Sequence, residues 1–82
     1  EAEALRARCR FAAGNLDAAA RISSQLLKRD RSDVRSLDLL ALIALRRGEL
    51  TRGTTLLGRA LGIAPFDHET NEILSHLEES QR

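Results

Sequence analysis

Set against itself with a shift of 34 residues, the chain brings like onto like at the places where helices cross, turn and pack. Leu5 falls on Leu39, Ala7 on Ala41, Gly14 on Gly48, Leu16 on Leu50, Leu27 on Leu61, Asp33 on Asp67 and Leu40 on Leu74. Seven identities over 48 overlapping positions is near what a Leu- and Ala-rich sequence produces by accident, so the signal lies in their placement. They occupy the small, turn and core positions of one helical hairpin. A period of this length is the mark of a repeat architecture, in which each unit leaves an apolar face that only its neighbour covers.

The residues between these positions read as five helices. The first runs from about Ala2 to Ala13 and is broken by Gly14-Asn15, a C-terminal glycine followed by an N-cap asparagine. The second runs from Leu16 to about Arg29, with Leu16, Ala19, Ala20, Ile22, Leu26 and Leu27 on its apolar side. Asp30-Arg31-Ser32-Asp33 is a polar turn holding two candidate N-caps, and the third helix runs from Val34 to Arg47. The fourth spans Leu50 to Ile63 and stops at Ala64-Pro65, because a residue before proline avoids the helical region. The fifth follows Asp67, with Glu69 placed to favour the helix dipole, and continues to about Ser80. Short loops between such helices force antiparallel neighbours, so the fold class expected is all-α, a stack of helical hairpins.

Composition agrees. In 82 residues the apolar fraction is 43%, yet the only aromatics are Phe11 and Phe66. A core of Leu, Ala, Ile and Val suits helices and argues against a sandwich or barrel. The length suits one domain. One cysteine, Cys9, excludes an intrachain disulfide framework. No apolar run approaches the roughly 20 residues that cross a bilayer, so no membrane insertion is expected. Arginine dominates the basic residues, which with the Ala and Leu content points to a GC-rich, bacterial genome. The sequence begins at Glu1 without Met and reads as a piece of a longer chain.

These residues resemble the tetratricopeptide repeat. Residues 34–67 carry the family's pattern best, in Leu37, Leu40-Ala41, Gly48-Glu49-Leu50, Gly53, Leu57, Ala60 and Ala64-Pro65. Residues 1–33 retain Ala7, Gly14-Asn15-Leu16, Ala19, Leu27 and Asp30, but have Arg31 in place of the proline and Glu3 in place of the large early residue. Residues 68–82 resemble the first helix of a third unit, or a capping helix, with Asn71, Leu74 and Ser75 in register. The resemblance implies a single domain over 1–82 that binds a protein or peptide partner in a concave groove lined by the first helices of successive repeats.

Carried over by position, the groove consists of Arg8 and Phe11 from the first helix, Arg35, Asp38, Leu42 and Arg46 from the third, and Glu72 and His76 from the fifth. Ala4, Ala12, Leu45, Glu69 and Glu79 complete its lining. Arg8, Arg35 and Arg46 would anchor charge, and Phe11 and Leu42 would give apolar contact. Arg8 and Leu42 stand where the family's carboxylate clamp has asparagines, which argues against a chaperone-tail ligand.

The sequence offers no catalytic constellation and implies no cofactor, so binding rather than enzymatic activity is expected. His68 and His76 are eight residues apart, not at the one-turn spacing of a helical metal pair. Cys9, beside Ala12 and Ala13, reads as a buried structural thiol. Ser23-Ser24 and Thr54-Thr55 read as helix-surface residues. In the fourth helix Gly53 has a packing reason, whereas Gly58 and Gly62, one turn apart, form a smooth strip. That strip suggests the alternative function of a homo-oligomer associating through the convex face.

Charge separates the remaining classes. With 13 basic and 12 acidic residues the formal net charge is +1, which argues against a nucleic-acid-binding helical repeat. The balance is uneven along the chain. Residues 1–33 carry 7 basic against 5 acidic groups, residues 34–66 carry 5 against 2, and residues 67–82 carry 1 against 5. A basic body ends in an acidic helix.

Overall fold

The computed structural model describes residues 2–80. Among them are five helices and no strand: α1 (Ala2–Ala12), α2 (Leu16–Arg29), α3 (Val34–Arg46), α4 (Leu50–Ile63) and α5 (His68–Ser80). Helices α1 and α3 each end a residue earlier than the sequence suggests, because Gly14 and Gly48 begin to unwind them one position upstream.

Both glycines have positive φ, +84° and +79°, and both close the same hydrogen-bond motif. The Asn15 N–H donates to the Arg10 carbonyl at 2.8 Å and the Gly14 N–H to that of Phe11 at 3.0 Å. Glu49 donates to Ala44 at 2.9 Å and Gly48 to Leu45 at 3.1 Å. This paired closure is the Schellman arrangement, and its left-handed residue is why glycine stands there.

The helix starts repeat as well. Of the two candidate caps before α3, Asp33 is the one used: its carboxylate accepts from the Ser36 N–H at 3.2 Å and the Ser36 hydroxyl at 2.9 Å. Asp67 does the same at α5, accepting from the Thr70 N–H at 3.0 Å and the Thr70 hydroxyl at 2.9 Å. Asn15 caps α2 through the Ala18 N–H. The sequence repeat is therefore also a repeat of hydrogen bonding.

Helix α3 is the centre of the molecule, packed against α2 and α4 and touching α1 and α5. Its Leu39 and Ile43 join Ala7 and Ala19 in one apolar cluster. Its Leu37, Leu40 and Ala41 join Leu56, Leu57 and Ala60 in a second, against which Ile73 and Leu74 of α5 rest. Ala7, Ala19, Ala41 and Gly53 are all buried, as expected of positions where two helices approach closely. At Gly53 the approach is tight: a Cβ would lie 2.7 Å from Leu45 Cδ2 and 3.4 Å from the Ala41 carbonyl oxygen.

Three expectations need correction. Cys9 is exposed, because Ala7 points into the core and a residue two positions later lies on the other side of the helix. Ser23 is buried, since the face of α2 that carries it is covered by α1 and α3, and its hydroxyl has no hydrogen-bond partner. Leu45 is not on the groove; it turns toward α4 and covers Gly53.

Candidate functional site

One hollow collects side chains from α1, α3 and α5. It is lined by Arg8 and Phe11, by Arg35, Asp38, Leu39 and Leu42, and by Glu69. Its volume is about 190 Å³, below the range of about 300–1,000 Å³ in which small-molecule pockets usually fall, and it opens to solvent. The shape is a groove.

Helical periodicity explains the membership. Arg35, Asp38, Leu39 and Leu42 fall at three- and four-residue steps on one side of α3, as Arg8 and Phe11 do on α1. Phe11 rests on the first apolar cluster, and the Arg46 guanidinium lies 4.7 Å from its ring centroid, in cation–π geometry. Among the described residues Arg46 meets no carboxylate within 4.0 Å.

The other two arginines are engaged from within. Glu69 accepts two hydrogen bonds from Arg8, both at 3.1 Å, and one from Arg35 at 2.6 Å. Arg35 also pairs with Asp67 and lies 3.5 Å from Asp38. Burial acts to lower the pKa of Arg35, but the Asp67 hydrogen bond and the charges of Glu69, Asp38 and Asp67 outweigh it and raise the pKa. The basic body and the acidic last helix clasp each other across the groove.

Asp38 corrects an expectation. The sequence presents it on the groove surface, but it is 1% exposed and belongs to the wall beneath. Its Oδ1 accepts from the Thr70 hydroxyl at 2.7 Å, while Oδ2 has no hydrogen-bond partner. Burial pushes its pKa up, against the opposing pull of Thr70 and Arg35. Asp67 is held low by the Thr70 N–H and by Arg35.

The structure thus brings together Arg8, Phe11, Arg35, Leu42 and Arg46, over a buried Asp38. It does not bring Glu72 and His76 into the groove: both are exposed on α5, where Glu72 lies 3.7 Å from His68 and His76 lies 4.0 Å from Glu79. Ala12 is exposed outside it, and Ala4 lines a small cavity beneath α1. Gly58 and Gly62 face open space, with no atom within 4 Å of where a Cβ would stand. Leu39, Asp67 and Thr70 belong to the site without being among the residues the sequence points to. The signal for two of them was present, since Asp67-Glu69-Thr70 stands 34 residues after Asp33-Arg35-Ser36.

Among the described residues no group of three His, Cys, Asp or Glu side chains is placed to hold a metal ion. No described helix is long and apolar enough to cross a membrane. In comparison with known proteins, no family model and no curated protein matches the chain.

Proposed function

We propose that this chain is a protein–protein interaction module of tetratricopeptide type, a right-handed stack of helical hairpins whose α1–α3–α5 groove takes a peptide or partner segment. One observation carries the reading: three helices distant in sequence turn Phe11, Leu39, Leu42 and a set of charged groups toward one open hollow. Apolar surface beside fixed charge is the chemistry that orders an extended segment. Arg46, held over Phe11, is the cation available to a partner's carboxylate. Arg8 becomes available only to a ligand that competes with Glu69, and Arg35 only to one that competes with Asp67 as well. The groove is small, so a complex formed by this chain alone falls below about 1,200 Å² of buried surface and is weak and exchangeable. Such a module serves as part of a larger scaffold, acting by binding.

Peptides selected from a display library against the 82-residue chain test this. Binding should fall at least about tenfold, about 1.4 kcal/mol, on Leu42→Glu, whose side chain is half-buried in the groove. Selected peptides that bound Leu42→Glu as well as wild type would remove the groove as the site.

The second reading is self-association through Gly58 and Gly62. It is supported by their open surroundings, since nothing inside the chain needs glycine at either place. Analytical ultracentrifugation separates the two: a dimer that Gly58→Glu dissociates supports self-association, and monomers in both proteins eliminate it.

A further inference from the structure

A second cleft lies between α2 and α4. At about 100° per residue, Leu40 points well away from the side of α3 that carries Arg35, Asp38 and Leu42. It forms part of a floor with Leu27 of α2 and Leu56 of α4. The cleft is shallow and open, with about 310 Å³ against about 190 Å³ for the groove on the other side. Its charged lining is of one sign, with Lys28 and Arg31 on the α2 side and Arg52 and Arg59 on the α4 side.

These four cations are exposed, and among the described residues none has a carboxylate within 4.0 Å. Four arginines elsewhere are held by carboxylates from within the chain. Arg8, Arg29, Arg35 and Arg47 are each paired, with Glu69, Glu3, Asp67 and Asp17 among their partners. Glu49 lies in the next hollow beyond Arg52. Like charges gathered without internal compensation repel one another and raise the local concentration of anions.

The floor selects among anions. Three leucines between the cationic rims offer nothing to an inorganic phosphate. The aromatics, Phe11 and Phe66, lie elsewhere, so bases of a single strand have no ring on which to stack. Apolar floor and cationic rims together match an amphipathic helix with an apolar stripe flanked by carboxylates, the helix-in-groove mode of recognition. On α4, Arg52, Leu56 and Arg59 follow one another at four- and three-residue steps, so the cleft alternates charge and apolar contact along its length.

We propose that the α2–α4 cleft is a second binding site, for an acidic amphipathic helix of a partner protein. Its apolar side chains rest on Leu27, Leu40 and Leu56, and its carboxylates pair with Lys28, Arg31, Arg52 and Arg59. The site does not depend on the α1–α3–α5 groove being occupied, or on that groove being functional.

The test is fluorescence anisotropy with a labelled helical peptide carrying Leu at helical spacing and Glu on both flanks. Its counterpart with Lys in place of Glu serves as the control. The Glu peptide should bind, weaken as salt rises, and lose at least about tenfold in affinity on combined Arg52→Glu and Arg59→Glu. Circular dichroism should show those variants fully helical, since both side chains are exposed; Arg52→Gln with Arg59→Gln should give an intermediate loss. Leu42→Glu should leave this peptide's affinity unchanged, which keeps the two sites distinguishable. Equal binding of the Lys peptide, no effect of the double reversal, or displacement of the peptide by a lower concentration of oligothymidylate would each overturn the assignment.

Discussion

Thr70 has one hydroxyl proton and two carboxylates competing for it. Its Oγ lies 2.7 Å from Asp38 Oδ1 and 2.9 Å from Asp67 Oδ2, with the residue fully buried. Removing the hydroxyl in Thr70→Val leaves Asp38 buried without its one hydrogen-bond donor. The cost should be about 1–3 kcal/mol by urea unfolding at neutral pH, with Thr70→Ser recovering most of it. The two acids respond to pH in opposite directions. Asp38, whose pKa is raised by burial, opposes folding when ionised, and that penalty disappears as pH falls through its native value. Asp67, whose pKa is lowered, stabilises above the ordinary carboxylate value of about 3.9, and that contribution is lost as pH falls through its native value. Asp67→Asn should therefore melt below wild type at a pH of about 6, with the gap closing toward a pH of about 3. Thermal melts across that range check the sign. The cap at Asp67 is legible in the sequence because its partner is three residues away; the burial of Asp38 is not, because its partner is 32 residues away.

At the level of helices, what is local is legible. Gly14, Gly48, Pro65 and the caps at Asn15, Asp33 and Asp67 place the element ends to within a residue, since each acts through bonds spanning a single turn. Faces are another matter. Cys9, Ser23 and Leu45 were misread because which side of α1, α2 or α3 is covered depends on a helix that arrives later in the chain. Leu5 and Leu39, 34 residues apart in sequence, make the same point: the first is 63% exposed and the second 8%. The glycines of α4 separate packing from propensity. Gly58→Ala adds a methyl group in open space and should stabilise by up to about 1 kcal/mol. Gly53→Ala gains the same propensity but drives a methyl group into Leu45, and overpacking of about 1–3 kcal/mol should prevail. Ala41→Leu meets the same crossing from the other side and should lose a similar amount. Thermal melts of the three variants should show opposite signs for Gly58→Ala and the other two. A Gly53→Ala protein as stable as Gly58→Ala would mean that the crossing is loose. Thr54 and Thr55 donate their hydroxyls back to the Leu50 and Thr51 carbonyls, a back-bonding that shares the backbone acceptors and slightly weakens this helix further.

Over the whole molecule, the near-zero net charge conceals a sorting. Carboxylates of α5 and the turn before it are drawn to the arginines of the groove, while the cations between α2 and α4 remain without internal partners. The sequence shows the segmental imbalance but not this sorting, which exists only once five helices are packed. The clasp also reaches further than repeat packing does. In a row of units that touch only their neighbours, terminal units open first and independently. Arg8 and Glu69 join the first helix to the fifth, 61 residues apart. Both side chains are substantially exposed, so the link contributes at most about 1 kcal/mol and is screened by salt. Its effect should be on the order of events more than on the total. In wild type at low salt, amide hydrogens of α1 and α5 should exchange together. In Arg8→Gln, or at about 1 M salt, α1 should exchange ahead of α5. Exchange followed by NMR decides it, and independent opening of the two helices in wild type would show the link to be idle. Tying α1 to α5 in this way makes fraying a shared event, so that a ligand drawing Glu69 away from Arg8 at one point would loosen both ends at once.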